Sequence, residues 1–328
     1  MQLACEHCGR LYDSTVPRSG GLERCTSCSK LNLYLPDPES SFIIFGDYKI
    51  EDKLGTGGNA LVVRGRHLAT GDDYALKLFY TSPGDDEHGG KEFAAEVEMA
   101  SQLVHDNIVR IFGGGEIDGV LHIVMELIDG MNLAEYLESY GPMPAEDAIA
   151  VGAHVCYALD HVWSNFLMIH RDVKPHNIMI TSDGCVKLCD FGLVSSHETA
   201  VTDSKTIIGT PYYVSPEMVT SEGHQDNRAD VYSLGTSLFH IISGAPPFNY
   251  GSLLEVLNAR LRDNTPRLDE VMRNCPAGLA DVLATMMARI PDDRYATATE
   301  AAEDLLRIRD GLAPLLVDAH RSRSNQEN

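Results

Sequence analysis

The sequence predicts an α+β chain in which a small cysteine-bearing module precedes a strand-rich lobe and a larger helical lobe. Three observations carry this expectation. Four of the eight cysteines fall in two Cys-x-x-Cys pairs within the first 28 residues. Short β-prone runs broken by glycine-containing turns then extend to about residue 126. Beyond Gly130 the apolar residues recur every three or four positions, the period of a buried helix face.

The elements follow in order. Residues 1–35 hold the cysteine pairs, with Arg10, Arg18, Arg24 and Lys30 nearly balancing Glu6, Asp13 and Glu23. Residues 36–45 read as a linker, because Pro36, Pro38 and their polar neighbours discourage helix and sheet alike. Residues 46–310 read as the large folded domain and 311–328 as a tail that ends in Arg-Ser-Arg-Ser-Asn-Gln-Glu-Asn and frays. Tyr48–Ile50, Leu61–Val63 and Tyr74–Leu78 predict strands. A helix with Phe93, Val97, Ala100 and Val104 on its buried face follows, then strands over Ile108–Phe112 and Leu121–Glu126. Ala148, Gly152, Val155, Leu159 and Val162 mark one face of a long helix. Unequal lobes of this kind leave a cleft between them.

The chain has 328 residues and, with 48 acidic against 26 basic side chains, a net charge of −22. That argues against nucleic acid and anionic membranes, which need clustered Lys and Arg. No run of 18 apolar residues suits a membrane span, and the N-terminus lacks the pattern of a signal peptide. A cytoplasmic location is the expectation, and a reducing compartment disfavours disulfides.

Cys5, Cys8, Cys25 and Cys28 are spaced Cys-x2-Cys-x16-Cys-x2-Cys, which reads as a four-thiolate zinc site, against two disulfides or unliganded thiols. Gly9 permits a tight knuckle after the first pair. The module is too short to fold on its own apolar burial, so Zn2+ would supply folding free energy. His7 is expected to be a solvated side chain, since four sulfurs complete the shell. The segment resembles a zinc ribbon, and a protein partner or targeting role is expected, ahead of nucleic acid binding or a cap on the neighbouring domain.

Leu54-Gly55-Thr56-Gly57-Gly58-Asn59-Ala60 lies between two predicted strands, where glycine lets a backbone approach phosphate oxygens. Taken alone, a glycine-rich hairpin is more often just a turn. Lys77 stands in an apolar strand where its ammonium needs a partner, and the next helix offers Glu96 and Glu98. Further on come His170-Arg171-Asp172-Val173-Lys174-Pro175-His176-Asn177, Asp190-Phe191-Gly192, Gly209-Thr210-Pro211, Ser215-Pro216-Glu217, Asp230 and Arg294. In this order and spacing the chain resembles a eukaryotic-type (Hanks-type) Ser/Thr protein kinase of bacterial kind over residues 46–310.

The resemblance implies a bilobal protein-kinase fold and transfer of the ATP γ-phosphoryl group to Ser or Thr hydroxyls of protein substrates. It implies that Lys77, paired with Glu96, holds the α- and β-phosphates, while Asn177 and Asp190 ligate Mg2+ or Mn2+. Lys174 would neutralise the γ-phosphoryl group and Asp172 would accept the substrate proton. Leu54, Gly55, Gly57, Val62, Ala75 and Met179 would enclose the nucleotide. Met125, the backbone of Glu126 and Ile128, and Asn132 would line its adenine and ribose. Lys174 and Thr210 favour Ser/Thr specificity. Arg171 implies control by autophosphorylation at Thr202, Ser204 or Thr206, because a buried guanidinium calls for a phosphate. Cys189 is expected to be a structural core residue. Two departures are Ala60 in place of the third glycine and Ser215 in place of alanine. A kinase-fold scaffold or pseudokinase signalling through binding is the alternative, although no catalytic group is missing.

Overall fold

The computed structural model describes residues 2–13, 21–34, 43–57, 60–80, 87–191, 212–220, 225–262 and 265–317. The chain divides into two compact units, residues 1–104 with 109–128, and residues 105–108 with 129–328.

The first unit opens with two antiparallel hairpins, β1 (Gln2–Ala4) with β2 (Leu11–Asp13) and β3 (Gly21–Arg24) with β4 (Leu31–Tyr34). A six-stranded antiparallel sheet follows. Its strands are β5 (Ile43–Phe45), β6 (Tyr48–Thr56), β7 (Ala60–His67), β8 (Asp73–Phe79), β9 (Ile111–Ile117) and β10 (Val120–Glu126), in the order β5-β6-β7-β8-β10-β9. Helix α1 (Glu87–Ser101) connects β8 to β9.

The period of two along β7 and β8 buries alternate residues on one side of this sheet. Leu61, Val63, Leu76 and Leu78 are at most 1% exposed. They share one apolar core with Ile50, Val124 and, from β4, Leu31 and Leu33. Ile43 and Phe45, expected in the linker, are buried in the same core. Their Ile-x-Phe alternation is long enough to add an edge strand once β6 supplies the hydrogen bonds.

Helix α1 buries Phe93, Val97 and Ala100 as expected, but Val104 is exposed and Leu103 buried instead. Gln102 and Leu103 donate their N–H groups to Met99 and Ala100, three residues back. That tighter turn rotates the register past the helix end.

The second unit is mostly helical. A three-stranded sheet of β11 (Gly130–Asn132), β12 (Ile178–Thr181) and β13 (Val186–Leu188) accompanies α2 (Leu133–Tyr140) and α3 (Ala145–Phe166). The remaining helices are α4 (Pro216–Thr220), α5 (Arg228–Ser243), α6 (Leu253–Arg262), α7 (Leu268–Val271), α8 (Leu279–Met286) and α9 (Ala298–Arg309). Ala148, Val155, Leu159 and Val162 of α3 are all buried, as the helical spacing predicts.

Packed structure continues past residue 310, where a tail was expected. The buried Asp304 carboxylate accepts from the N–H groups of Leu315 and Leu316 at 2.7 and 3.0 Å and from the Tyr295 hydroxyl at 3.0 Å, and Val317 is buried. A carboxylate removed from water requires such donors, and the chain after α9 supplies two of them. Among the described residues, no helix is long and apolar enough to cross a membrane.

Arg294, fully buried, holds Glu217 through two bonds of 2.7 and 2.8 Å, joining the start of α4 to the segment before α9. Burial alone would raise the Glu217 pKa, but the hydrogen bonds and charge of Arg294 outweigh it and the pKa is lowered. A carboxyl held below its unfolded value of about 4.3 stabilises the fold above that pH, and the contribution is lost as pH falls through the folded value. Glu217→Gln should therefore cost about 3–5 kcal/mol near neutrality by leaving a buried guanidinium uncompensated. Denaturant unfolding of parent and variant should show that difference shrinking below about pH 4.

Candidate active site and cysteine cluster

On the first unit, the sheet face opposite the apolar core carries the expected nucleotide-binding residues. The register sets Val62 and Ile123 against Lys77, and Met125 against Ala75. Facing residues of an antiparallel pair, and residues two apart on a strand, point to the same side. Val62, Ala75, Lys77 and Met125 thus share one face. The Lys77 ammonium lies 5.7 Å from the centroid of the Phe79 ring. Phe79 in turn meets Phe93 edge-on at 5.4 Å, which puts α1 on the Lys77 side. On that helix Glu96 is half-buried, whereas Glu98 is exposed.

Gly55 faces Val62 across the hairpin. A side-chain methyl built on Gly55 would meet nothing within 4 Å, and on Gly57 only the Ala60 carbonyl at 3.7 Å. Internal packing does not demand glycine at either position. The Gly57 N–H donates to the Ala60 carbonyl at 2.8 Å, and Gly58 and Asn59 lie outside the described residues. Leu54 is exposed, and Val62, Met125 and Ile128 are half-buried. The Glu126 N–H is committed to the Arg110 carbonyl at 2.8 Å.

In the second unit, the segment from His170 to Asn177 is held by the Asp230 carboxylate, the Cys189 carbonyl and the Phe191 ring. The buried Asp230 carboxylate accepts from the backbone N–H groups of His170 and Arg171 at 2.6 and 2.8 Å. Burial pushes the Asp230 pKa up, and these N–H groups oppose the rise. The His170 Nδ1 accepts the Asp172 N–H at 3.2 Å, so its Nε2 carries the proton donated to the Cys189 carbonyl at 2.9 Å. Phe191 packs on the same ring, with centroids 4.5 Å apart.

This scaffold gathers two of the expected catalytic side chains, Asp172 and Lys174, with the expected metal ligand Asn177. Lys174 Nζ donates to Asp172 Oδ2 at 2.6 Å, and Asn177 Nδ2 donates to the same oxygen at 2.9 Å. The Asn177 amide also donates to the Asp172 carbonyl at 2.8 Å. With Nδ2 so used, its Oδ1 is the atom that suits a cation. Arg171 and Asp190 both adopt left-handed backbone, with φ of 68° and 62°. For residues other than glycine this stores strain, and such strain gathers at functional sites.

The family model described as "Protein kinase domain" matches residues 48–306. The chain belongs to the protein kinase family. Curated relatives include the serine/threonine-protein kinase PknB of Mycobacterium leprae, 36% identical over 84% of this chain and 46% of the relative. Another is PknL of Mycobacterium tuberculosis, 36% identical over 84% of this chain and 69% of the relative. The chain thus spans about half the length of the first of them. The crystal structure of the Mycobacterium tuberculosis PknI kinase domain superposes with a TM-score of 0.65 at 27% identity, covering 82% of this chain and 99% of that one. The resemblance read from the motifs, and the fold it implied, are borne out. The family implies ATP with Mg2+ or Mn2+.

Other family positions fall as follows. Met179 on β12 is half-buried and pairs with Asn132 on β11. The Asn132 Oδ1 accepts from the N–H groups of Ala134 and Glu135, so this oxygen caps α2. Cys189 donates its thiol to the Asn177 carbonyl at 3.3 Å, a contact that braces the loop. Thr202, Ser204, Thr206 and Thr210 lie outside the described residues. Two further residues had no assigned role in the sequence reading. Asp230 anchors the segment from His170 to Asn177; in the sequence it stood among the family motifs with no contact assigned to it. Arg260 of α6 is buried and donates to the carbonyls of Tyr212 and Val214. Nothing in the sequence separates it from a surface arginine on an amphipathic helix.

The four N-terminal cysteines converge. Their sulfurs all lie within 4.8 Å of one another, with Cys5 to Cys28 at 3.6 Å and Cys8 to Cys25 at 3.8 Å. A tetrahedral shell with Zn–S of about 2.3 Å sets sulfurs about 3.8 Å apart, so the donor set fits zinc. The two knuckles are alike. Gly9 and Ser29 donate to the Cys5 and Cys25 carbonyls with φ of 69° and 60°. The His7 and Ser27 N–H groups reach the Cys5 and Cys25 sulfurs at 3.4 and 3.3 Å. Burial resists ionisation of Cys5, but the Cys8 and His7 N–H groups and neighbouring thiols outweigh it, lowering its pKa to about 6. His7 is not solvated. Its Nε2 donates to the Leu31 carbonyl at 3.1 Å, tying the first knuckle to β4.

Asp230→Ala would strip the His170 and Arg171 N–H groups of their acceptor. Unfolding titrations should show a loss of about 1–3 kcal/mol for each unsatisfied donor. Phosphoryl transfer should fall further than stability alone accounts for, because Asp172 loses its positioning.

Proposed function

We propose that this chain is an ATP- and Mg2+-dependent protein kinase that phosphorylates serine and threonine hydroxyls of protein substrates, with Mn2+ as an alternative metal. The observation that carries the reading is the convergence of Lys174 and Asn177 on one oxygen of Asp172, on a loop anchored by buried Asp230.

Lys77 would neutralise the α- and β-phosphates, with Glu96 holding its ammonium. The flat apolar surface of Val62, Ala75 and Met125, with Leu54 and Met179, would take the adenine, and Ile128 and Asn132 its polar edge and ribose. Gly55 and Gly57 would let backbone approach the phosphates. Magnesium, held by Asn177 and Asp190, would supply charge stabilisation at the phosphate oxygens. Asp172 would accept a hydrogen bond from the substrate hydroxyl and then its proton, as the hydroxyl oxygen bonds to the γ-phosphorus and the bond to the ADP oxygen breaks. Lys174 would offset the charge on the transferred group. In such a loose transition state the chain contributes mainly positioning and electrostatics.

Lys174 also supports preference for Ser and Thr over Tyr. The Arg171 Nε is buried and has no hydrogen-bond partner among the described residues, which supports activation-loop phosphorylation at Thr202, Ser204 or Thr206. Cys5, Cys8, Cys25 and Cys28 would bind one structural Zn2+. Thiols kept reduced fit a cytoplasmic setting.

The test is incorporation of labelled phosphate into the chain and a generic basic protein. Asp172→Asn and Lys77→Met should each lower it at least about a hundredfold. Incorporation at the parent rate in Asp172→Asn would favour the scaffold alternative. Mass spectrometry of the active parent should find phosphate on one of the three loop residues and none in Asp172→Asn.

A further inference from the structure

We infer that the cysteine ribbon is a fixed back cover of the nucleotide-binding sheet, so that zinc occupancy sets nucleotide affinity. This rests on the four-thiolate zinc reading and extends it: the protein partner of the ribbon is the kinase domain of its own chain.

Three sets of contacts place the ribbon there, all within the first unit. Leu31 and Leu33 of β4 are 2% and 5% exposed, yet the two hairpins alone are too small to bury them. They are buried because they join Leu61, Val63, Leu76 and Leu78, the residues that alternate with Val62, Ala75 and Lys77. The ribbon therefore covers one face of the sheet while the other face carries the nucleotide residues.

The second set surrounds Tyr80, the residue after β8 and three beyond Lys77. Its ring is buried between His7 at 5.0 Å, edge-on, and the Lys30 ammonium at 5.4 Å from its centroid. Its hydroxyl has no partner among the described residues. The ring thus touches both knuckles. In the third set, Glu6 of the first knuckle pairs with Lys53 at 2.5 Å, immediately before Leu54 and Gly55. Arg24 reaches the carbonyls of Phe79 and Gly119, each at 3.5 Å.

The ribbon thus touches β6 where the glycine hairpin begins and β8 where the Lys77 strand ends. The four sulfurs converge on one point, and a cation there would bond the two knuckles to each other; its removal breaks that link. Losing it withdraws Leu31 and Leu33 from the core and exposes Leu76 and Leu78. A strand released on one face positions the other less well, so metal and nucleotide should be linked, each tightening the other by the same factor.

The experiment uses the full chain under reducing conditions. Zinc content is measured first, then backbone hydrogen exchange and Mg·ADP affinity before and after extraction with a chelator, and again after zinc is restored. Extraction should speed exchange in β7, β8 and β10 at least about tenfold. It should also weaken Mg·ADP at least about tenfold, with both effects reversed by zinc, and saturating Mg·ADP should tighten zinc by the same factor. Leu33→Ala, with its cysteines intact, should keep one zinc per chain yet show faster exchange in β7 and β8. If the chain holds one zinc but its removal alters exchange only in residues 2–13 and 21–34, with Mg·ADP affinity unchanged, the cover is refuted and the zinc site stands. If the chain neither contains nor takes up zinc, both fall together.

Discussion

Strand β8 cannot turn Ala75 and Lys77 to one side of its sheet without turning Leu76 and Leu78 to the other. The period of two is a property of extended backbone, and no side chain can opt out of it. An ammonium can stand on a central strand only if the alternate residues are buried well enough to fix the strand. Burying Leu76 and Leu78 requires a layer behind the sheet, and β4 contributes to that layer through Leu31 and Leu33. The hairpin that holds the second cysteine pair thus packs on the face that the alternation turns away from Lys77.

The second unit solves a different problem. The segment around Asp172 is largely irregular, so helix and ladder bonds leave several of its backbone donors to other partners. Asp230 supplies a buried acceptor for two of them, and the His170 ring bridges the Asp172 N–H to the Cys189 carbonyl. With the backbone over-determined in this way, Arg171 and Asp190 can remain in left-handed conformations that an unsupported loop would abandon. The exposed carboxylate of Asp172 then needs only Lys174 and Asn177 to fix its direction.

Buried charge recurs as a structural device in this unit. Arg294 with Glu217, Arg260 with the carbonyls of Tyr212 and Val214, and Asp304 with the chain after α9 each tie distant segments together. Each is costly unless fully partnered, which makes each a test of correct assembly and not a large net source of stability. Arg260 and Arg294 both act near residues 212–217, at the end of the segment that carries the expected phosphorylation sites.

Much of the candidate site was legible in the sequence, because its chemistry is carried by short motifs whose residue types and spacing are fixed by what they must hold. Asp172, Lys174 and Asn177 lie within six residues of one another, so local backbone nearly decides their meeting. The alternation in β7 and β8 and the helical period of α3 likewise announce their buried faces. Cys-x-x-Cys pairs fix two sulfurs each by local turn geometry. The motifs implied the distant pair of Glu217 with Arg294, but most contacts between segments far apart in the chain were left open by the sequence. Leu31, Tyr80 and Leu76 meet only when a ribbon docks on a sheet, and Asp230 reaches His170 across 60 residues. Nothing local distinguishes a buried Arg260 from an exposed one, or a bonded His7 from a solvated one. Long-range burial is a property of the assembled tertiary structure, and only that structure assigns these side chains their work.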